Sequence, residues 1–258
     1  MFSIIIPNYN NSKYLNALFN SIYYQTYQDY EIIFVDDKST DDSVEIALRW
    51  QKDHFHERIK IIPLEEKRWN GGARNVGLNN RSKSSDYTMF IDSDDTFTNA
   101  HNLELIEFLI EQNNYPDCIR LSYNFCDTKA RPVILEEDTP AKLVVDCNVA
   151  CWTKCIKSNL MVRFPENTLM EDVVQHIAQC DVLKTVVPCK QPIINWNKAN
   201  ANSCSTNSKL QNGKWFSSMY RYVADLMDLQ VTHSYCKEQR TWRIEQAQNN
   251  VKNGLAIQ

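Results

Sequence analysis

Glycine is scarce, with 5 residues in 258. None of them lies in a Gly-x-Gly-x-x-Gly or Gly-x-x-x-x-Gly-Lys run, so the phosphate loops of Rossmann dehydrogenases and P-loop proteins are absent. No run of about 18 apolar residues occurs, and no membrane-spanning helix is expected. The opening residues MFSIIIPNYN have neither a basic leader nor a cleavage site, so no signal peptide is expected and the location is cytoplasmic. No Cys-x-x-Cys pair occurs among the 9 cysteines, and the odd count argues for free buried thiols in a reducing compartment. Cys151 and Cys155, four apart, suit one face of a helix. The 5 histidines lack metal-ligand spacing with cysteine, which argues against zinc.

With 43% hydrophobic and 23% charged residues, the chain reads as an ordinary globular protein of one or two domains. Net charge is −4, but it is unevenly spread. Residues 1–180 hold 18 basic and 27 acidic side chains, and residues 181–258 hold 10 and 5. The basic last third suits an anionic ligand or partner, or simply a solvated helical surface. Neither part approaches the basicity of a dedicated nucleic-acid binder.

Apolar runs at 2–6, 30–35, 58–62, 86–91 and 117–125 read as strands. Helical spacing separates them over 12–24, from near Asp41, after the turn signal Asn70–Gly71–Gly72, and over 101–111. Alternating strands and helices indicate βαβ units and a mostly parallel sheet. Right-handed crossovers then bring the loops Pro7–Asn11, Asp36–Asp41 and Asp92–Thr96 to one edge, where open α/β sheets bind ligands. Beyond 126 the pattern changes. An irregular or hairpin excursion is expected over 127–142, helices over 150–160 and 169–180, and one or two strands broken by Pro188 over 182–194. A polar loop follows over 195–208, and helices at about 209–229 and 232–253 close the chain. The expected organisation is a nucleotide-binding and catalytic domain over 1–205 and a helical extension over 206–258 packed on the same core.

The acidic loops carry the chemistry. Asp92–Ser93–Asp94–Asp95 follows an apolar strand directly, and three carboxylates in four residues repel one another unless a counter-charge is present. An all-oxygen site suits Mg²⁺ or Mn²⁺ shared with phosphates; an exposed capping turn is the plainer reading. Asp36 and Asp37 end the second strand, where carboxylates accept ribose or base hydrogen bonds, while Asp41 and Asp42 suit a helix start. Gly71–Gly72–Ala73–Arg74–Asn75 opens a helix whose N–H groups could face an anion, and Arg74 could reach a phosphate or stack on a base. Trp50, Trp215 and Trp242 read as packing residues, whereas Trp69, Trp152 and Trp196 flank the expected site.

Taken in order, several segments resemble glycosyl transferase family 2 of the GT-A fold. They are Ile4–Asn10, Ser21–Ile22 with Gln25–Thr26, Tyr30–Asp41, Asn70–Leu78, Phe90–Asp95, Trp152–Lys154, Phe164–Glu166 and Glu171–Asp172, and together they span about residues 2–200. The resemblance implies that Pro7 and Asn8 line a nucleotide pocket. It also implies that Asp36 and Asp37 contact base or ribose, and that Arg74 with Asn75 approaches the base. It makes Asp92 and Asp94, flanking Ser93, the D-x-D pair, with Asp94 the direct ligand of Mn²⁺ or Mg²⁺. It makes Asp172, beside Glu171, the general base, and it turns Lys154 and the stretch Lys198–Ser203 toward the diphosphate. Two departures stand out: Lys38 replaces a frequent glycine, and Trp196–Asn200 holds neither the arginine nor the histidine common in relatives.

The chemistry so implied is inverting transfer of a sugar from a nucleotide-diphosphate donor, a UDP-sugar above all. A carboxylate takes the acceptor proton and a cation offsets the leaving diphosphate. Placement of Asp172 at a helix N-terminus would lower its pKa. The acceptor is a surface glycan or glycolipid, or a hydroxymethylated pyrimidine of phage DNA, in which case the location is the host cytoplasm. No obligatory protein partner is evident. The competing classes are a nucleotidyltransferase on a related fold and an inactive nucleotide-sugar-binding module. The former usually needs a glycine-bearing first loop, which Pro7–Asn11 lacks.

Overall fold

The structure, a computed structural model, describes residues 1–127, 130–145, 148–166, 168, 170–200 and 214–252. Four strands, β1 (Phe2–Asn8), β2 (Tyr30–Asp36), β3 (Ile59–Pro63) and β4 (Tyr87–Phe90), run parallel, with β1 between β2 and β4. Their neighbours complete a nine-stranded sheet in the order β3-β2-β1-β4-β8-β6-β9-β5, with β7 beside β6. β6 (Cys118–Cys126) and β9 (Val186–Asn197) keep the direction of β4, while β5 (Thr96–Phe97), β7 (Ala130–Val133) and β8 (Lys154–Lys157) run against their partners. Both β1 and β2 are buried along their whole length, which is why they read as unbroken apolar runs rather than alternating ones. The sheet is therefore mixed but mostly parallel, and the C-terminal ends of β1, β2, β3, β4, β6 and β9 share one rim.

The expectation that the first strand stops at Pro7 is corrected, because β1 continues to Asn8. The ladder to β4 ends at Ile5, so the missing N–H of Pro7 costs no bond on that side. Helices α1 (Ser12–Tyr23), α2 (Ser43–Trp50), α3 (Trp69–Asn79) and α4 (Asn102–Gln112) flank the sheet, and α1 buries Leu15, Leu18, Phe19 and Ile22 as its spacing requires. α3 approaches β1 so closely that a Cβ on Gly77 would lie 2.4 Å from Ile5 Cγ2.

The second half departs more from expectation. Residues 150–160 are not a helix: single 3-10 turns flank β8, which lies between β4 and β6. Cys155 and Ile156 are buried there between neighbouring strands, and a short apolar run of this kind mimics helical spacing. Pro188 does not divide the following strand, since β9 runs continuously for 12 residues and absorbs its irregularity as register shifts against β6 near Ser122. The excursion after β6 is the expected hairpin, β6 with β7, followed by the short helix α5 (Pro140–Val145).

Helices α6 (Glu171–Val182), α7 (Lys214–Asp228) and α8 (Ser234–Lys252) build a second apolar cluster around Val173, Ile177, Tyr222, Leu226, Cys236 and Ala247. Cys118 and Ile156 join that cluster to the sheet. The closing helices thus pack on α5 and α6, beside β6 and β8. Trp242, expected to pack, is 44% exposed. All seven described cysteines are free thiols.

Candidate active site

The loop after β2 is built by its own acids. Asp36 Oδ1 accepts hydrogen bonds from Asn8 Nδ2 (2.7 Å) and Ser39 Oγ (2.6 Å), and Oδ2 accepts from the Ser39 N–H (2.8 Å). Asp37 accepts the N–H groups of Arg68 (2.6 Å) and Trp69 (2.9 Å), and so holds the start of α3 against the end of β2. Burial pushes the Asp37 carboxyl up; those N–H groups and the nearby Lys67 oppose it.

This clamp corrects the reading of Asn70–Gly71–Gly72 as a turn, because the chain turns at Trp69 (φ 59°) and α3 has already begun. Asn10 (φ 53°) and Lys38 (φ 64°) are left-handed on neighbouring loops. A side chain in that region costs of order 1–3 kcal/mol, so the hydrogen bonds around these residues hold a strained rim in place. Lys38 thus holds a conformation that glycine adopts without steric cost.

Arg74 ties the rim together. Only 5% of its side chain is exposed, and its guanidinium donates to Glu171 Oε1 (2.7 Å) and to Asp92 Oδ1 (3.0 Å). One side chain thereby joins the β4 turn to the start of α6, 79 positions apart in the chain numbering. Close packing makes this possible: a Cβ on Gly71 would lie 2.3 Å from the Pro165 carbonyl oxygen. Asn75 pins the same segment. Its amide donates to the Phe164 carbonyl (2.9 Å) and Glu166 Oε1 (3.0 Å) and accepts the Phe164 N–H (2.9 Å).

Burial pushes Glu171 up to about 7 despite the Arg74 guanidinium beside it. Asp172, next in the chain, accepts the N–H of Val173 (2.9 Å). The expected lowering of its pKa by the helix terminus is reversed. Burial raises it, against the pull of Arg74 and Lys154.

In the β4 turn, Ser93 Oγ accepts from Asn11 Nδ2 (2.8 Å), and Asp94 Oδ2 accepts from Asn200 Nδ2 (2.6 Å). Burial and the neighbouring Asp92 raise the Asp94 carboxyl. Asp95 is buried and accepts the Asn197 N–H (2.8 Å), so the exit of β9 is fastened to this turn twice. Lys198 follows, its ammonium 4.8 Å from the centre of the Trp196 ring. The rest of the Lys198–Ser203 stretch beyond Asn200 lies outside the described residues. Lys154 is 1% exposed and donates to the carbonyls of Val149 (3.2 Å) and Ala150 (3.0 Å); burial lowers its pKa to about 8. It therefore lies beneath the rim, near Asp172, with its ammonium engaged by backbone.

Two broad clefts of about 320 and 340 Å³ lie elsewhere, between α1, β5 and α4, and none of the acids above lines them. Sequence reasoning reached Asn11 and Asn200 only as members of the stretches Pro7–Asn11 and Lys198–Ser203, and not as partners of Ser93 and Asp94, for single amides in polar loops carry no spacing signal.

Among the described residues, no three His, Cys, Asp or Glu side chains form a complete metal cage. The residues present nonetheless fit a hard cation. Asp92 and Asp94 offer carboxylate oxygens on one turn, and Mg²⁺-like ions keep water and phosphate oxygens in their shell. Buried Asn8 Oδ1 and Arg74 Nε have no hydrogen-bond partner among the described residues.

The fold and rim define an α/β protein with a ligand site at the strand C-termini, organised by converging carboxylates. The family model "Glycosyl transferase family 2" matches residues 3–186, and the chain belongs to that family of glycosyltransferases. The Escherichia coli protein "UDP-Glc:alpha-D-GlcNAc-diphosphoundecaprenol beta-1,3-glucosyltransferase WfgD" is 28% identical over 165 residues, which is 63% of this chain and 62% of that one. Curated relatives that match more strongly are spanned only over about half their length or less, 52%, 26% and 31%. Among solved structures, S. aureus TarS 1-349 in complex with UDP-GlcNAc aligns with a TM-score of 0.76 at 20% identity, covering 95% of this chain and 72% of that one. The mannosyltransferase PcManGT from Pyrobaculum calidifontis, in complex with GDP-Man and Mn²⁺, aligns with a TM-score of 0.60 at 14% identity, covering 98% and 74%. The fold is therefore GT-A.

Proposed function

We propose that the protein moves a sugar from a nucleoside-diphosphate donor, a UDP-sugar, to an acceptor hydroxyl with inversion at the anomeric carbon. The Arg74 bridge between Asp92 and Glu171 carries this reading, for it brings the D-x-D turn and the start of α6 to one place. Family membership and the donor in the TarS structure support it.

Asp172 takes the proton of the acceptor hydroxyl as that oxygen attacks the anomeric carbon. The bond from that carbon to the diphosphate oxygen breaks on the opposite face. A raised pKa makes Asp172 a better proton acceptor than an ordinary aspartate. Asp94 and Asp92 would hold Mn²⁺ or Mg²⁺, which supplies positive charge against the leaving diphosphate. Asp37, Asn8 and Pro7 lie at the base and ribose end. Arg74, Asn75 and Lys154 act mainly by holding the segments that carry Asp92, Glu171 and Asp172. Lys198 lies where a phosphate contact is open to it.

The acceptor is a surface glycan or glycolipid, a reading that the name of the Escherichia coli relative supports. The test is transfer from UDP-sugars with Mn²⁺ present. Asp172→Asn should lower turnover about 10²–10⁴-fold while leaving UDP binding intact, and Asp94→Ala should abolish the metal requirement along with activity. Turnover that survives both changes would refute the mechanism. Acceptor binding that weakens steeply with salt would point instead to DNA.

A further inference from the structure

The two clefts beside α1, β5 and α4 have no part in the reading so far. They adjoin at Asn99 and so form one groove. β5 is the last strand of the sheet and runs against β9, with Thr96 opposite Asn195 and Phe97 opposite Ile194. Thr96 directly follows Asp95 of the D-x-D turn, while Gln191 lines the far end. From Asn195 back to Gln191 a strand covers roughly 13 Å, at ~3.3 Å per residue. The groove therefore leaves the rim beside the acids and runs down the edge of the sheet.

An edge strand usually offers its backbone to another chain. Here that backbone is already engaged. The Phe97 N–H donates to Ser21 Oγ (3.1 Å), and the carbonyls of Asn99 and Ala100 accept from Gln25 Nε2 (2.7 Å) and the Thr26 N–H (2.8 Å). A peptide strand has no ladder to join, so the groove recognises through side chains. Among the described residues no lysine or arginine lines it, which does not suit a phosphate-bearing chain. Its polar groups are mostly amides, Asn20, Asn99, Asn102 and Gln191. Asn102 is 1% exposed, and its Oδ1 accepts the Asn99 N–H (2.9 Å), but its Nδ2 makes no hydrogen bond among the described residues. A buried amide donor is costly to leave so, and this one borders the groove. Phe108 and Tyr24 stand one on each half, 55% and 67% exposed. Amides both donate to and accept from hydroxyls, and an aromatic ring covers the apolar C–H face of a pyranose.

We propose that this groove binds a neutral oligosaccharide, the part of the acceptor chain already built, while the end of that chain lies at the rim. The acceptor role rests on the transferase reading proposed above; the sugar-binding chemistry of the groove does not. A groove of this length spans several sugar units, so affinity grows with chain length, and Phe108 and Tyr24 supply the faces on which the units lie.

The experiment is saturation-transfer NMR on the intact protein with UDP and Mn²⁺ present. It is titrated with neutral oligosaccharides of one to five units, built on glucose, galactose, mannose or N-acetylglucosamine. In the wild type, affinity for at least one series should rise about tenfold or more from one unit to five. Phe108→Ala and Tyr24→Ala, both at exposed positions, should each weaken the five-unit ligand about threefold to tenfold and leave the single sugar and UDP unchanged. Gln191→Ala should act in the same direction by a smaller factor. Absence of binding by every series, affinity that does not grow with length, or a five-unit ligand indifferent to both aromatic substitutions overturns the proposal and leaves the donor reading standing. If the wild type fails to bind UDP, the donor reading falls, while length-dependent binding lost in both variants still places a sugar site in the groove.

Discussion

Replacing Arg74 by methionine tests the organisation of the site most directly. The guanidinium is nearly enclosed and serves Glu171 at 2.7 Å and Asp92 at 3.0 Å. Methionine fills much of the same space and supplies no charge. Removing one partner of a buried ion pair typically costs ~3–5 kcal/mol, because the other charge is left uncompensated. For a chain of this size each kcal/mol lowers Tm by roughly 2–4 °C, so a fall of roughly 6–20 °C is expected near neutral pH.

The pH dependence separates charge from packing. Glu171 titrates near 7 in the folded protein against an ordinary 4.5. A raised folded value means that its contribution is fully present below the unfolded pKa and is lost as pH rises through the folded one. Without the guanidinium the folded value rises further, so the added penalty is largest at about pH 8. It shrinks toward about pH 5, where a protonated Glu171 leaves the lost hydrogen bonds, of order 1–3 kcal/mol, and the lost pair with the partly exposed Asp92. The assay is urea denaturation of the wild type, Arg74→Met, Glu171→Gln and the double variant across that range. The double variant should recover most of the loss at the alkaline end. A penalty that is constant from about pH 5 to pH 8, or a double variant no better than Arg74→Met, would refute the reasoning.

Two further changes read other parts of the fold. Asp181 accepts the N–H groups of Thr232 (2.8 Å) and His233 (2.7 Å) at the start of α8, which holds its pKa near 2. Asp181→Ala should cost ~1–2 kcal/mol at neutral pH and speed amide exchange in α8. Because the folded value is depressed, this contribution is present above the ordinary 3.8 and disappears as pH falls through about 2, so wild type and variant should converge in acid. Gly77→Ala places a Cβ 2.4 Å from Ile5 and should cost ~1–3 kcal/mol in a melting experiment while α3 shifts from β1. A neutral outcome would show that α3 can move away without strain.

The first half of the fold was legible because fully buried parallel strands and amphipathic helices leave different periodicities, as in Tyr30–Asp36 against Ser12–Tyr23. β8 was not, because four residues between two strands, three of them buried, carry neither period, and the spacing of Cys151 and Cys155 imitated a helix. The acids of the site were legible as loops at strand ends. The partners that hold them were not: Asp37 grips backbone N–H groups, and Asn200 reaches Asp94 across 106 positions. The sign of the shift at Asp172 was also beyond the sequence, because the dipole of α6 is local whereas its burial comes from packing with distant segments.

Crowding acids at one rim is unfavourable, and the way each is offset separates their roles. Asp36, Asp37 and Asp95 accept backbone N–H groups, which do not titrate and cannot leave, so these three shape loops whatever else they contact. Asp92 and Glu171 share one guanidinium, which fixes two segments at the cost of binding their stabilities together. Asp94 is met by an amide, a neutral and easily displaced partner, which suits the cation-holding role proposed for it. Asp172 takes only the N–H of Val173 among the described residues. It is buried enough for its proton affinity to rise, and among the described residues Arg74 and Lys154 act on it only through space, without a hydrogen bond. Such surroundings suit the proton-accepting role proposed for it.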